Sequence, residues 1–131
     1  KSNQYPGEFA FTQVVKRIGV DSVDALKDKQ IIEAVFSGEN LQESGFTLEN
    51  ARQSGKGKTL TGPGGSTYRV LPAKFVRVGN SGLEVESRAY LSATVAGGDL
   101  FALIATCRDL TWDDSQKRMK PAVESFQATA A

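Results

Sequence analysis

An apolar strand pair followed by an amphipathic helix, over Arg88 to Phe126, limits the possible folds of this chain more than any other stretch. The first strand reads Arg-Ala-Tyr-Leu-Ser-Ala-Thr-Val and the second Leu-Phe-Ala-Leu-Ile-Ala-Thr-Cys, with Ala-Gly-Gly-Asp between them. Two apolar runs around a glycine turn predict a β-hairpin. Alternation places Ala89, Leu91, Ala93 and Val95 on one face and Arg88, Tyr90, Ser92 and Thr94 on the other. In the second strand both alternating sets are largely apolar, so it is expected at the centre of a sheet covered on both sides.

The helix expected from about Trp112 to Phe126 supplies one cover. Thr111 with Asp114 three residues on has the capping-box pattern, and Asp113 and Asp114 suit the positive end of the helix dipole. Trp112, Met119, Val123 and Phe126 fall near one face, with Trp112 expected as a buried anchor against the sheet. Pro121 predicts a kink or a break.

Upstream, Phe9 to Ile18 reads as a strand, with Ile18 on the face opposite Phe9, Phe11 and Val15. Residues 22–36 read as helix, capped by Asp21 or Ser22, divided near Asp28-Lys29 and stopped by Gly38. Residues 39–66 are polar and glycine-rich; Phe46 to Ala51 reads as a short strand or helical turn. Lys56, Lys58 and the run Gly62 to Gly65 are expected in an exposed loop. Thr67 to Val78 reads as strand, with Pro72 marking an edge, a bulge or an interruption. The sum is a single α+β domain over residues 1–131, a central antiparallel sheet flanked by helices.

The chain has no histidine and a single cysteine, Cys107. Without histidine there is no Ser-His-Asp or Cys-His machinery, and Cys107, with no histidine to activate it, is expected as a core residue. A formal net charge of +1 makes no bulk electrostatic case for nucleic acid. Gly57-Lys58-Thr59 ends like a phosphate loop, but the position that needs the first glycine is Arg52, and no apolar strand leads in. Asp99, Asp109, Asp113 and Asp114 are the densest acidic group and lack calcium-loop spacing, so no metal ligands are assigned.

The strand Arg88 to Val95, the glycine turn, Leu100-Phe101, Trp112 and the closing Val123-Glu-Ser-Phe resemble the C-terminal half of the PsbP-domain family. The strand before Gly19 and the Ser22 helix start extend the resemblance over most of the chain. Ala89 and Ala102 stand where the family commonly has histidine and an aromatic. The resemblance implies a PsbP-like α/β/α sandwich. Family domains open with an N-terminal hairpin, and with eight residues ahead of Phe9 that hairpin and any targeting segment are expected to be missing here.

The implied function is that of a non-catalytic extrinsic subunit in the chloroplast thylakoid lumen, peripheral to the membrane. It would dock on a photosystem core and other lumenal subunits, first of all photosystem II, and support the oxygen-evolving complex. The alternatives are a photosystem I subunit or assembly factor, or a small ligand-binding α+β domain. No directly bound cofactor is implied beyond a weak calcium association. The candidate docking cations are Lys56, Lys58, Arg69, Arg77, Arg88, Lys117, Arg118 and Lys120, on the expectation that they share a surface facing acidic lumenal loops.

Overall fold

The computed structural model describes residues 8–36, 46–62, 65–79 and 81–126. The expected Gly38 stop, residues 39–45, Pro63, Gly64 and Asn80 lie outside the described residues. Strands β1 (Phe9–Val15), β2 (Phe46–Gln53), β3 (Lys58–Thr61), β4 (Thr67–Gly79), β5 (Glu84–Ala96) and β6 (Asp99–Arg108) form one antiparallel sheet. Its order is β1-β6-β5-β4-β2, with β3 also paired to β4. Helices α1 (Asp28–Phe36) and α2 (Trp112–Glu124) complete the fold.

The β5–β6 hairpin closes through Gly97 and Gly98, at φ 60° and 82°, which the two central positions of this tight turn require. Both faces of β6 are used, as expected. Leu100, Ala102 and Ile104 join Leu71, Phe75 and Leu91 beneath α1, whose Ile31, Ile32, Val35 and Phe36 are buried. Ala105 and Cys107 join Val70 and Tyr90 beneath Met119 and Val123 of α2. Helices therefore lie on opposite faces of the sheet, and each face carries its own core.

Several local expectations are corrected. Arg17 takes a left-handed φ of 55°, which turns the chain after β1 and brings Ile18 to the same core as Phe11 and Val15. Of the two readings of Phe46 to Ala51 the strand holds, as part of β2, whereas Lys58, expected in a loop, belongs to strand β3. Pro72 lies inside the unbroken β4, with strands on both sides. It is tolerated there because the neighbouring edge is interrupted: Gln53 pairs Ala73, Lys58 pairs Val70, and between them Ser54 donates to the Pro72 carbonyl. Gly57 makes the turn between β2 and β3 fit, since a Cβ there would stand 2.4 Å from Leu71 Cδ2.

The region from Ser22 to Phe36 divides as expected, into a 3-10 turn at Val23–Ala25 capped by the Ser22 hydroxyl, then α1. The Thr111 capping box does not form. A 3-10 turn at Asp109–Thr111 runs straight into α2, and the Thr111 hydroxyl donates back to the Arg108 carbonyl. Helix α2 continues through Pro121, which is exposed, so the missing donor falls on the solvent side.

Candidate docking surface

On α2, Trp112, Gln116, Lys120 and Glu124 recur every four residues and so form one stripe. On β5 the even-numbered side chains Arg88 and Tyr90 point to the same side. Together they form a continuous chain of contacts. The Arg88 guanidinium lies 5.3 Å from the Trp112 ring centre, and its Nε donates to Asp109 Oδ1 at 2.7 Å. The Lys120 ammonium lies 5.8 Å from the Trp112 ring centre and 5.5 Å from that of Tyr90. The Tyr90 hydroxyl donates to Glu124 Oε2 at 2.7 Å, and Lys58 Nζ meets the same oxygen at 2.8 Å.

Strand register adds two cations that sequence reasoning missed. Arg52 of β2 pairs with Lys74 of β4, and Lys74 pairs with Arg88 of β5. Directly opposed residues share a face and like charges there destabilise a sheet. Among the described residues neither Arg52 nor Lys74 has a carboxylate within salt-bridge distance. Lys58 pairs with Val70, four residues from Lys74 along β4, a separation of about 13 Å at strand rise. Arg52, Lys74, Arg88, Lys120 and Lys58 thus border one strip of open sheet beside α2. Glu49 and Glu86 bound it on the next row, both opposite Val76. No local pattern announces the strip; only knowledge of which strands pair brings Arg52 to Lys74.

The eight cations picked from the sequence do not converge as expected. Lys58, Arg88 and Lys120 come together on the strip. Arg69 points to the other face, where it holds Asp28 through two bonds of 2.8 and 2.9 Å. Arg77 belongs to that face too, by alternation with Lys74. Arg118 is occupied at the β1 side of α2, bonded to Glu8 at 2.8 Å and lying 3.6 Å from Asp114. Lys56 and Lys117 are exposed and outside the strip.

The Tyr90 hydroxyl is pushed upward, first by burial and then by Glu124, so it remains a neutral donor. Glu124 is held below the ordinary carboxylate range by Lys58 and Tyr90, Asp28 by Arg69, and Glu8 by Arg118. Each of these carboxyls binds protons less readily in the folded than in the unfolded chain. Their contribution is complete above the unfolded value, about 4, and is lost as pH falls through the folded values. The melting temperature is therefore expected to hold between about pH 7 and 5 and to fall below about pH 4. A flat profile from pH 5 down to about 3 would contradict these pairings.

Cys107 is buried, and burial pushes its thiol upward, beside the Ser115 and Thr111 hydroxyls. It packs as the core residue expected. The acidic group Asp99, Asp109, Asp113 and Asp114 does not assemble, since Asp99 and Asp109 flank opposite ends of β6. Asp99 accepts from the Arg17 backbone N–H and Lys16, Asp109 from Arg88. Among the described residues no three histidine, cysteine, aspartate or glutamate side chains converge.

Trp112 packs against the core beneath α2 as the anchor expected, but it is half-buried, with part of the ring left exposed. Trp112→Ala is expected to cost about 1–2 kcal/mol, from partial burial and the two cations on the ring. A loss of about 3–5 kcal/mol in a denaturant melt would restore the buried anchor.

Clefts on the two faces of the sheet are small. One of about 250 Å³ lies between the end of α2 and β3, lined by Leu60, Tyr68 and Phe126. Another of about 320 Å³ separates α1 from β2. Among the described residues no helix is long and apolar enough to cross a membrane. No protein-family model matches the chain, and no curated protein matches it.

Proposed function

We propose that this chain is a PsbP-like extrinsic subunit of the thylakoid lumen, non-catalytic, docked on a photosystem. Photosystem II is the first assignment, where the domain would cover lumenal loops of the core and support the oxygen-evolving complex. The sequence resemblance supports this reading, and the sheet with a helix on each face is compatible with it.

The observation that carries the docking part is the strip beside α2. Five cations border it, two of them are matched by Asp109 and Glu124, and the half-exposed Trp112 lies among them. An Arg-and-Trp centre with surplus positive charge suits a protein surface bearing carboxylates. The mechanism is steric and electrostatic: charge orients the domain, and its bulk then restricts solvent exchange at the covered loops.

The test is rebinding to salt-washed thylakoid membranes, followed by separation of the photosystem particles. Recovery with photosystem II, reversed by salt, supports the assignment. Recovery with photosystem I moves the function and keeps the docking mode. Absence from both overturns the photosystem reading.

A further inference from the structure

The two edges of the sheet are built differently. An exposed edge strand offers unpaired backbone donors and acceptors, and proteins blunt such edges with charge, proline, bulges or shortness. The β2 edge is blunted: it carries Glu49 and Arg52, and Asn50 at φ 57° sits where its register shifts. The β1 edge has none of these devices. Its seven residues, Phe-Ala-Phe-Thr-Gln-Val-Val, hold no charge and no proline, and they pair with β6 without a register shift.

Among the described residues no helix covers the α2-side face of β1. Helix α2 lies over β5 and β6, and Ala10, Thr12 and Val14 are exposed, Val14 to 43%. Their partners Leu103 and Phe101 are only half-buried. The apolar surface therefore runs up to the open edge and stops there.

We infer that β1 pairs antiparallel with β1 of a second copy of this chain, about a two-fold axis at Thr12, which joins two sheets into one. The charges at the strand ends select this occupant. Glu8 precedes β1 and Lys16 follows it, so an antiparallel pair centred on Thr12 places Glu8 of each copy opposite Lys16 of the other. Each has a partner in its own copy, Arg118 for Glu8 and Asp99 for Lys16, and the dyad adds a second. The same register sets Ala10 opposite Val14 and Thr12 opposite itself, so the two apolar margins meet on one face. A strand with one acid at its start and one base at its end is complementary to itself.

The experiment is disulfide trapping, with sedimentation of the full 131-residue chain. Directly opposed residues in an antiparallel pair stand within disulfide reach, about 4.5–5.5 Å between Cα atoms. Thr12→Cys is expected to link to itself under mild oxidation. Ala10→Cys is expected to link poorly to itself and readily to Val14→Cys. The unmodified chain should sediment as a dimer at about tens of micromolar, and Val14→Lys, at an exposed site, as a monomer that melts like the unmodified chain diluted until it is monomeric. A monomeric unmodified chain, a Val14→Lys variant that remains dimeric, or equal linking by Thr12→Cys and Ala10→Cys would each overturn the pairing.

Discussion

Phe75→Ala is expected to lower the stability of the domain by about 3–5 kcal/mol, the largest loss from any single truncation proposed for this chain. Phe75 is 1% exposed and lies midway along β4, the strand that pairs with β5 on one side and β2 and β3 on the other. Its ring centre is 5.5 Å from that of Phe36, the last residue of α1. Truncation removes transfer free energy, leaves a cavity that paired strands cannot easily close, and loses the ring contact that seats the end of α1. Val76→Ala, one residue on and only half-buried on the opposite face, should cost less than half as much. Equal losses in denaturant melts would mean that the core beneath α1 does not carry the fold.

Lys74→Glu combined with Lys120→Glu is expected to weaken rebinding to salt-washed membranes on the order of 10²-fold, because carboxylates would then face carboxylates. The stability change should be small, because the two substitutions act in opposite directions. Lys74 stands between Arg52 and Arg88, so reversing it relieves a like-charge repulsion within the sheet. Lys120→Glu gives up the ammonium's contacts with Tyr90 and Trp112, a loss of about 1 kcal/mol. Lost binding with retained stability would mark charges held for a partner rather than for folding. Lys56→Glu with Lys117→Glu, both off the strip, should bind normally. If both pairs of reversals weakened binding equally, net charge would be responsible and the strip would carry nothing special. Arg118 is a poor choice for this test, since its bonds to Glu8 tie α2 to the start of β1.

The parts of the fold that could be read from the sequence are those governed by local periodicity. The β5–β6 hairpin was legible because alternating side chains declare both faces and Gly97-Gly98 declares the turn. The burial of Met119 and Val123 followed from helical spacing in the same way. Strand β3 was not legible, and β2 only as one of two readings, because an exposed polar edge has little apolar alternation and its order comes from pairing with β4. Ile18 departs from the strand alternation because one left-handed residue, Arg17, resets it. The capping box at Thr111 failed because a preceding 3-10 turn redirected the hydroxyl.

The docking surface divides along the same line. Lys120 and Arg88 could be named from the sequence, but nothing local distinguishes them from Arg118 or Arg69, which structural carboxylates occupy. Lys74 and Arg52 acquire meaning only across strands distant in sequence.

The proline in the middle of β4 has a consequence for how the sheet assembles. Pro72 can sit only where the edge beside it is interrupted, which is where Ser54 to Gly57 turn between β2 and β3. If β2 slid along β4 by two residues, each of its side chains would keep its face of the sheet. A backbone carbonyl would then face the proline ring and find no donor. The residue that looks like a flaw in a central strand therefore proofreads alignment: it leaves the correct pairing untouched and penalises the nearest wrong one.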